Sequence, residues 1–292
     1  MVHLLLGDER DLCCSAVRDA LEERGAESRI VPNPLVDPAC FSWRLDNERS
    51  LTSLAFDGDP ALSDDEIAGV LVRTSGWVDP AGWQPTDLPY VQAETQSALL
   101  AWLWSLGCPV VNRFTPAIWY RPQAPLLAWR GMLARSGLAT PETLVTNAEE
   151  AAREFGRRLH GVGLGGAVYA PLTGDSRYLI AGEEDWRGLR ELQRLGPICL
   201  SAPHGAPQRA CVVGEHVVWD GEPAAAHTAL EPGLRRFASD AELAFVALIV
   251  APAPTRPCVV AVDAQPRLDE FGRAAREEIV DGIVELLTGS RP

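Results

Sequence analysis

The chain has 292 residues, of which 47% are hydrophobic and 23% are charged. This length and composition predict a globular protein of about two domains with a substantial core. The formal net charge of −14 argues against nucleic acid and anionic membranes as partners, because both favour a basic protein face. No apolar run reaches the roughly 20 residues that span a bilayer. Since the first apolar residues also lack a basic leader region, we expect a cytoplasmic protein.

The first part of the chain has the pattern of a doubly wound α/β layer. An apolar strand over 2–6 is followed by a helix over 12–23, with Asp11 as its N-cap, and by a second strand over 28–32. The other elements predicted here are a hairpin of strands 41–45 and 51–56, a buried strand 69–73, a helix 88–106 rich in Trp and Leu, and a short strand 109–112. Their order predicts one sheet layer with helices packed around it.

Caps and breakers define the elements of the second part. A helix over 124–136 ends at Gly137, and Asn147 is expected to cap a helix over 148–160, with Glu150 closing a capping box. The run 161–166 matches G-x-G-x-x-G but precedes a strand, so we interpret it as a hinge and not as a dinucleotide site. The remaining predicted elements are strands 142–145, 167–171, 197–200, 209–213, 216–219, 245–251 and 258–263, and helices 184–195 and 270–287.

Three motifs resemble those of one enzyme superfamily. They are Val110-Val111-Asn112-Arg113, the run GLATPETLVTN over 137–147, and Val212-Val213-Gly214. Together with the order of elements they are similar to the ATP-grasp ligases, most of all to ribosomal-peptide maturases of the graspetide and microviridin type and to ribosomal-protein glutamate ligases. The resemblance covers nearly the whole chain. It implies an α/β, ATP-grasp-like fold with an N-terminal doubly wound pre-ATP-grasp domain (1–115) followed by two α+β lobes (116–195 and 196–292).

All 26 basic side chains are arginine, whereas the enzymes of this resemblance hold ATP with two lysines. By the resemblance those lysines correspond to Leu126 and Ala170. Codon drift in a GC-rich genome accounts for arginine at surface positions, but arginine does not replace a lysine that performs chemistry. The absence of lysine also excludes a Schiff base, a lysine general base, a P-loop lysine and a pyridoxal phosphate linkage.

The resemblance also assigns the magnesium ligands, which are acidic because a cation between phosphates requires oxygen ligands. They correspond to Leu248, Ala261 and Asp263, and only Asp263 has a carboxylate. The segment that would bind the adenine edge corresponds to 200–202, which has no acidic group. Apolar residues therefore stand at both lysine positions and at two of the three metal positions. The sequence predicts that the scaffold is kept and that the nucleotide site is degenerate.

Two functions follow from this pattern. The first is a pseudoenzyme, expected to use no cofactor, that binds a peptide or protein partner in a pathway of peptide or natural-product modification. The second is an active carboxylate–amine (peptide) ligase that uses ATP and Mg²⁺ in a rearranged site. In the second, phosphate would be bound by Arg121, Arg130, Arg177 or Arg209, and the metal by Asp240, Glu242 or Asp263. The residues favour the first, because phosphoryl transfer depends on charges around the phosphates.

Seven of the nine tryptophans lie in the first half of the chain. Trp77 and Trp83 flank a turn-rich segment, so we expect them to be an exposed pair that contacts a partner. In the maturases of the resemblance, this part of the protein contacts a leader peptide. For the set as a whole, a role in the core is the favoured alternative. The sequence also leaves open whether the protein forms a homodimer.

The seven cysteines show neither C-x-x-C nor any metal-ligand spacing, so we expect reduced core thiols. Cys13 and Cys14 are adjacent at the start of a helix, where neighbouring side chains diverge, which favours a structural role. Cys199, His204 and Asp263 can be drawn as nucleophile, base and orienting group. Their spacing does not require this arrangement, and a solvated loop histidine is the favoured interpretation.

Overall fold

A computed structural model of the chain describes residues 1–36, 39–47, 50–56, 58, 60–74, 76–119, 124–171 and 177–289. Its strands are β1 (Val2–Leu6), β2 (Glu27–Val31), β3 (Cys40–Leu45), β4 (Ser50–Ala55), β5 (Leu62–Ser63), β6 (Ile67–Val72), β7 (Val110–Val111), β8 (Thr143–Thr146), β9 (Ala167–Tyr169), β10 (Tyr178–Ile180), β11 (Ile198–Ser201), β12 (Gln208–Val213), β13 (His216–Trp219), β14 (Phe245–Ala251) and β15 (Cys258–Asp263). Its α-helices are α1 (Leu12–Glu23), α2 (Leu88–Ser105), α3 (Pro116–Trp119), α4 (Leu126–Arg135), α5 (Glu149–Gly161), α6 (Glu183–Gln193), α7 (Ala225–Thr228), α8 (Glu231–Asp240) and α9 (Arg273–Thr288). The elements predicted from the sequence are present, while β5, β10, α3, α7 and α8 were not predicted.

The N-terminal sheet is parallel, with the strand order β2-β1-β6-β7. Successive side chains of a strand point to opposite faces of the sheet. Leu4 and Leu6 accordingly belong to the core that contains Leu99 and Leu103 of α2. Leu5 belongs to a second core, which α1 and α9 complete. Helices therefore cover both faces, as expected for a doubly wound sheet.

A small antiparallel sheet, β3-β4-β5, contains the predicted hairpin and packs against α2. Trp102 of α2 is fully buried, and its ring meets Phe41 edge-on with the ring centroids 5.5 Å apart. The indole Nε1 donates a hydrogen bond of 2.9 Å to Thr52 Oγ1. Trp102 thus attaches the hairpin to the N-terminal layer through both an apolar and a polar contact.

The second large sheet is antiparallel, with the order β10-β9-β11-β8. Its core combines Phe155 and Leu159 of α5, Leu189 of α6 and Leu200 of β11. The predicted boundary at 195/196 would separate β11 from the sheet in which it pairs with β8 and β9. We therefore propose that the first lobe extends to Ser201.

The third large sheet is antiparallel, with the order β13-β12-β14-β15, and helices cover both of its faces. On one face Trp129 of α4 meets Phe237 of α8 edge-on, with the ring centroids 5.6 Å apart. On the other face Phe245 and Ala247 pack with α9. Because helices cover both faces of this sheet, every residue of its central strand β14 is apolar, in the sequence FVALIVA. In the described ranges, no helix combines the length and apolar character needed to cross a membrane.

Of the two predicted helix N-caps, the one at Asp11 is present and the one at Asn147 is not. Asp11 caps α1 as predicted, because its Oδ1 accepts a hydrogen bond of 2.8 Å from Cys13 N. The capping box predicted at Asn147 and Glu150 is wrong, since α5 begins one residue later and Ala148 is its N-cap without a side-chain cap. Thr146 Oγ1 instead accepts a hydrogen bond of 3.0 Å from Ala148 N. A hydroxyl two residues earlier in the chain therefore forms the local turn.

Asn112 joins the N-terminal sheet to the second lobe. It directly follows β7, is buried, and has a φ of 59°, in the left-handed region that asparagine tolerates better than most residues. Its Nδ2 donates hydrogen bonds to Phe245 O at 2.7 Å and Ala264 O at 3.3 Å. Its Oδ1 accepts one from Phe245 N at 2.8 Å. The asparagine of the first motif is thus a structural joint.

Candidate functional site

The sheet of the second lobe brings the predicted metal strands together. Ile249 of β14 lies opposite Ala261 of β15, and Ala247 lies opposite Asp263. On the other side of β14, Ile249 lies opposite Arg209 of β12. Directly opposed residues of neighbouring strands share a face of the sheet. We call the row of Arg209, Ile249, Ala261 and Asp263 the inner face.

Leu248 lies on the opposite face, so its predicted place beside Ala261 and Asp263 is wrong. Its cross-strand partner is Val262, and it is fully buried in the core that α4 and α8 cover. Ile249 lies opposite Ala261, in the position predicted for Leu248, and its side chain is equally apolar. Counting along the sequence missed this because the register shifts between Ile249 and Val250, where a bulge changes the face by one residue.

Asp263 is the one carboxylate at the predicted metal positions, and its Oδ1 accepts a hydrogen bond of 2.9 Å from Gln265 N. Asp240 ends α8, which packs on the face opposite to Asp263, and Glu242 follows it in the loop before β14. The alternative acidic ligands therefore do not gather around Asp263. Over the described ranges, no cluster of three or more His, Cys, Asp or Glu side chains could hold a metal ion.

Leu126 and Ala170, the two positions that correspond to lysines in the resemblance, both make contacts inside the fold. Leu126 begins α4 and packs against the large core. Ala170 directly follows β9, and its N donates a hydrogen bond of 3.0 Å to Cys199 O. Neither side chain offers the compact charge of an ammonium group to a phosphate.

The arginines considered as substitutes lie in different places. Arg209 is on the inner face, but its Nη2 lies 2.8 Å from Glu270 Oε2, and its Nη1 donates to Glu270 O at 3.1 Å. Arg130 is exposed on α4, which packs on the opposite face of the sheet. Arg121 lies outside the described residues. Of these three, only Arg209 is shown to share a face with Asp263.

Arg177 reaches from the first lobe to the second. It lies just before β10, and its Nη2 donates a hydrogen bond to Val260 O of β15. Its Nη1 lies 3.4 Å from His204 Nε2. Burial raises the pKa of both Cys199 and Cys258, and the charge of Arg177 partly opposes this rise. Since Cys199 and Cys258 belong to different sheets, the guanidinium lies between the two lobes.

The structure does not favour a catalytic set of Cys199, His204 and Asp263. The Nδ1 of His204 lies 2.9 Å from Gly205 O, and its Nε2 faces Arg177. Burial raises the pKa of Cys199 and so disfavours the nucleophilic thiolate. The two ring nitrogens of His204 therefore face a backbone carbonyl and an arginine, which agrees with a loop histidine and not with a catalytic base.

No protein-family model and no curated protein matches this sequence. Solved structures do match along the whole chain. The macrocyclase MdnC, bound with precursor peptide MdnA, from Microcystis aeruginosa MRC aligns with a TM-score of 0.76 at 18% identity, over 99% of this chain and 100% of that chain. A Chryseobacterium gregarium RiPP-associated ATP-grasp ligase in complex with ADP and a leader and core peptide gives 0.76 at 15% identity, over 100% and 97%. The ATP-grasp ligase PsnB complexed with minimal precursor, Mg and ADP gives 0.74 at 18% identity, over 99% and 97%.

The chain has the ATP-grasp fold. This confirms the fold class inferred from the three sequence motifs. At identities of 15–18% the likeness concerns the fold, and function has to be argued from the site.

Two tryptophans of this ATP-grasp fold are exposed as predicted, Trp77 at 65% and Trp83 at 47%. Trp104 is exposed to a similar degree, whereas Trp102 and Trp119 are buried. The tryptophans of the first half therefore divide between core and surface, and Trp77 offers the largest exposed fraction among them.

The cysteines are free in the structure, and Cys13, Cys14, Cys199, Cys211 and Cys258 are buried as predicted. Cys40 is exposed, so the prediction of a core thiol is wrong there. Burial raises the pKa of Cys13 and Cys14 to about 12. These two thiols therefore have a structural environment and not a reactive one.

The cysteines are expected to differ in reactivity. When the native protein is treated with iodoacetamide at about pH 8, Cys40 should be alkylated first, since the thiolate of an accessible cysteine is the reactive form. Cys13 and Cys14 should react only in denaturant, because burial blocks access and raises their pKa. Peptide mass spectrometry over a time course measures this order. Native Cys13 labelling as fast as that of Cys40 would contradict the burial seen here.

Arg73, which directly follows β6, is a site residue that the sequence motifs did not predict. Its side chain is only 5% exposed, and its Nε donates a hydrogen bond of 2.9 Å to Asp11 Oδ2. The available signal was its position, because a charged residue at the carboxyl end of a buried parallel strand stands where α/β folds place their ligands.

Proposed function

We propose that this protein is a non-catalytic, ATP-grasp-like protein that binds a peptide or protein partner in a pathway of peptide or natural-product modification. The observation that carries the proposal is the inner face, where Ile249 and Ala261 present hydrocarbon beside a single carboxylate, Asp263. Phosphoryl transfer relies almost entirely on positioned charges around the phosphates. A face with this composition lacks the means to stabilise that transition state.

The donor set does not fit a magnesium-bound polyphosphate. Leu126 and Ala170 have no charge to offer, and Arg209 is already paired with Glu270. Arg177 lies between the lobes and donates to a backbone carbonyl of β15.

The proposed partner is a peptide, or a protein that presents one. Two structures of the same fold support this: MdnC is bound with its precursor peptide, and the Chryseobacterium gregarium ligase is in complex with a leader and core peptide. Trp77 and Trp83 add exposed aromatic area of the kind that forms binding hot spots. We assign these two tryptophans to the partner-binding surface.

Thermal unfolding with and without Mg²⁺ and ATP tests the loss of the nucleotide site. We expect no change in Tm. A ligand at roughly one hundred times its Kd would add about 2.7 kcal/mol to the free energy of unfolding, which a thermal shift resolves easily. A reproducible upward shift, also seen with a non-hydrolysable ATP analogue, would contradict the proposal.

A variant that restores the charges serves as the positive control. It combines Leu126→Lys, Ala170→Lys, Ile249→Asp and Ala261→Glu, and we expect it to gain a magnesium-dependent shift with ATP. Replacing Ile249→Asp by Leu248→Asp in this variant is expected to abolish the gain and lower Tm, because Leu248 is fully buried on the other face.

An active carboxylate–amine ligase that uses ATP and Mg²⁺ is the second candidate. One observation favours it: Arg209 and Asp263 share the inner face, where they could meet a phosphate and a cation. Two structures of the same fold contain ADP. Steady release of ADP by the natural chain, lost in Asp263→Asn, would establish this function in place of the first.

A further inference from the structure

Helix α2 is apolar on all sides, although one side faces solvent. Its 18 residues include a single charged side chain, Glu94, whereas 23% of the whole chain is charged. A helix that is hydrophobic all round is normally buried on all sides. Leu99, Trp102 and Leu103 are indeed buried, on the side that packs in the N-terminal core. The opposite side is exposed, and the composition of the helix indicates that another surface covers it.

The exposed side of α2 carries a symmetric stripe of residues. The stripe consists of Tyr90, Ala93, Ser97, Ala101 and Trp104, and all five are exposed. Successive members are three, four, four and three residues apart, so the stripe has the same spacing in both directions from Ser97. Residues at these spacings lie on one side of an α-helix. The stripe therefore has an aromatic residue at each end and three small residues between them.

The aromatic ends of the stripe are placed to meet another surface. Tyr90 is 68% exposed and Trp104 is 48% exposed. The indole Nε1 of Trp104 donates a hydrogen bond of 3.3 Å to Phe114 O, and the guanidinium of Arg113 lies 5.8 Å from the centroid of the Trp104 ring. Because these contacts already orient the indole, little side-chain entropy remains to be lost on binding. Oriented, exposed aromatic side chains are typical of binding hot spots.

We propose that α2 pairs with α2 of a second copy of this chain, in an antiparallel, two-fold symmetric dimer centred on Ser97. In a two-fold interface both copies use the same surface, so each contact between two positions occurs twice. The symmetric stripe meets this requirement. Ala93 would face Ala101 of the second copy, and the small residues allow the helix axes to approach to about 8 Å. Tyr90 would face Trp104 of the second copy and close each end of the contact.

The spacing and the charges favour a second copy over a different protein. A different partner gives no reason for a stripe that is its own complement, whereas a two-fold dimer requires one. In the antiparallel pair Glu94 faces the C-terminal half of the second helix, and Arg113 lies over Trp104 at that end. The axis thus produces this attraction twice. A parallel pair would instead bring two Glu94 carboxylates together, and like charges repel across an interface.

The size of the stripe determines how firmly the dimer is held. A buried aromatic side chain covers about 150–250 Å². The exposed parts of Tyr90 and Trp104 in two copies therefore contribute roughly 500 Å². Stable interfaces bury about 1,200–2,000 Å², and weaker ones bury less. Since the small residues add little area, we expect a reversible dimer that dissociates on dilution.

The dimer does not depend on the proposed function. The segment that carries Trp77 packs along a different side of α2, where Val78 N donates a hydrogen bond of 2.9 Å to Gln92 Oε1. Gln92 Nε2 donates in turn to Gly76 O at 3.0 Å. The surface around Trp77 therefore stays accessible in the dimer. A shift of Tm with magnesium ATP would contradict the proposed function and would leave the dimer unaffected.

Sedimentation velocity over a concentration series measures the dimer. We expect the natural chain to have twice its single-chain mass at about 100 µM and its single-chain mass at about 0.5 µM, as for a weak interface. Ser97→Arg brings two guanidinium groups together at the two-fold axis and should weaken dimerisation by about ten-fold or more. Because Ser97 is exposed, this variant should keep the Tm of the dissociated chain. Ser239→Arg makes the same change at an exposed position of α8 and should dimerise as the natural chain does.

A chemical cross-link tests the register without adding a charge. In a Cys40→Ser background, a short bis-maleimide should join Ser97→Cys to the same position of a second copy, and it should not join Ser239→Cys. Peptide mass spectrometry identifies the joined cysteines. The proposal is overturned if the natural chain stays monomeric at about 100 µM, a result that leaves the stripe to a different partner. It is equally overturned if folded Ser97→Arg dimerises with natural affinity, or if Ser97→Cys is not joined within a dimer.

Discussion

Replacing Asn112 with alanine is expected to lower the free energy of unfolding by about 3–5 kcal/mol. The side chain makes three hydrogen bonds, two to Phe245 and one to Ala264, and all of them lie between the N-terminal sheet and the second lobe. Alanine would leave Phe245 N buried without an acceptor. It would also have to adopt a φ near 59°, which costs a residue with a Cβ about 1–2 kcal/mol. Chemical denaturation measures the loss.

Two further variants divide this effect into its parts. Asn112→Gly removes the hydrogen bonds but accepts the left-handed backbone, so it should be about 1 kcal/mol more stable than Asn112→Ala. Asn112→Asp keeps the acceptor for Phe245 N and loses the donors for Phe245 O and Ala264 O. An alanine variant as stable as the natural chain would show that Asn112 is not a joint between the two parts.

Trp102→Ala is expected to cost about 3–5 kcal/mol, the range for removing a buried large aromatic side chain. The substitution leaves a cavity where the indole met Phe41, and it leaves Thr52 Oγ1 without its donor. Because Trp102 attaches the β3-β4-β5 sheet to α2, this small sheet should loosen first. Hydrogen exchange of the β3 and β4 amides, measured beside global denaturation, follows the loosening.

Trp77→Ala is the matched control, since it removes the same side chain at a position that is 65% exposed. Its effect on stability should stay within about 0.5 kcal/mol, as for most surface substitutions. Trp102→Phe should fall between the two, because it keeps an aromatic ring and loses the hydrogen bond to Thr52. Equal costs at positions 77 and 102 would contradict the division of the tryptophans between core and surface.

Local patterns predicted most elements of the fold because each element carries its own signal. The β-α-β opening was readable from the apolar run of β1, the cap Asp11 and the periodic apolar residues of α1. The short strand β10 and helix α8 were missed, since three residues carry too little pattern and α8 contains Pro232 and Gly233 near its start. The cap of α5 was misassigned because Thr146 and Asn147 are both capable of the same local hydrogen bond.

The candidate site was predictable as a set of residue types and not as an arrangement. Counting along the chain selected Leu248, whereas the pairing of β14 with β15 puts Ile249 opposite Ala261. A one-residue change moves a side chain to the other face of a sheet, and the bulge that causes it depends on strand pairing. Arg73 shows the same limit, because its neighbours Asp11 and Phe245 come from distant parts of the chain.

The sequence by itself determined which chemistry the chain is without: it has no ammonium side chain, and Leu126, Ala170 and Ala261 remain hydrocarbon in any conformation. Only the tertiary structure decided which side chains act together. It paired Arg209 with Glu270, set Arg177 between the lobes and buried Arg73 beside a cavity. The physical reason is that composition is a property of single residues, whereas register, burial and charge pairing arise from contacts between segments far apart in the chain.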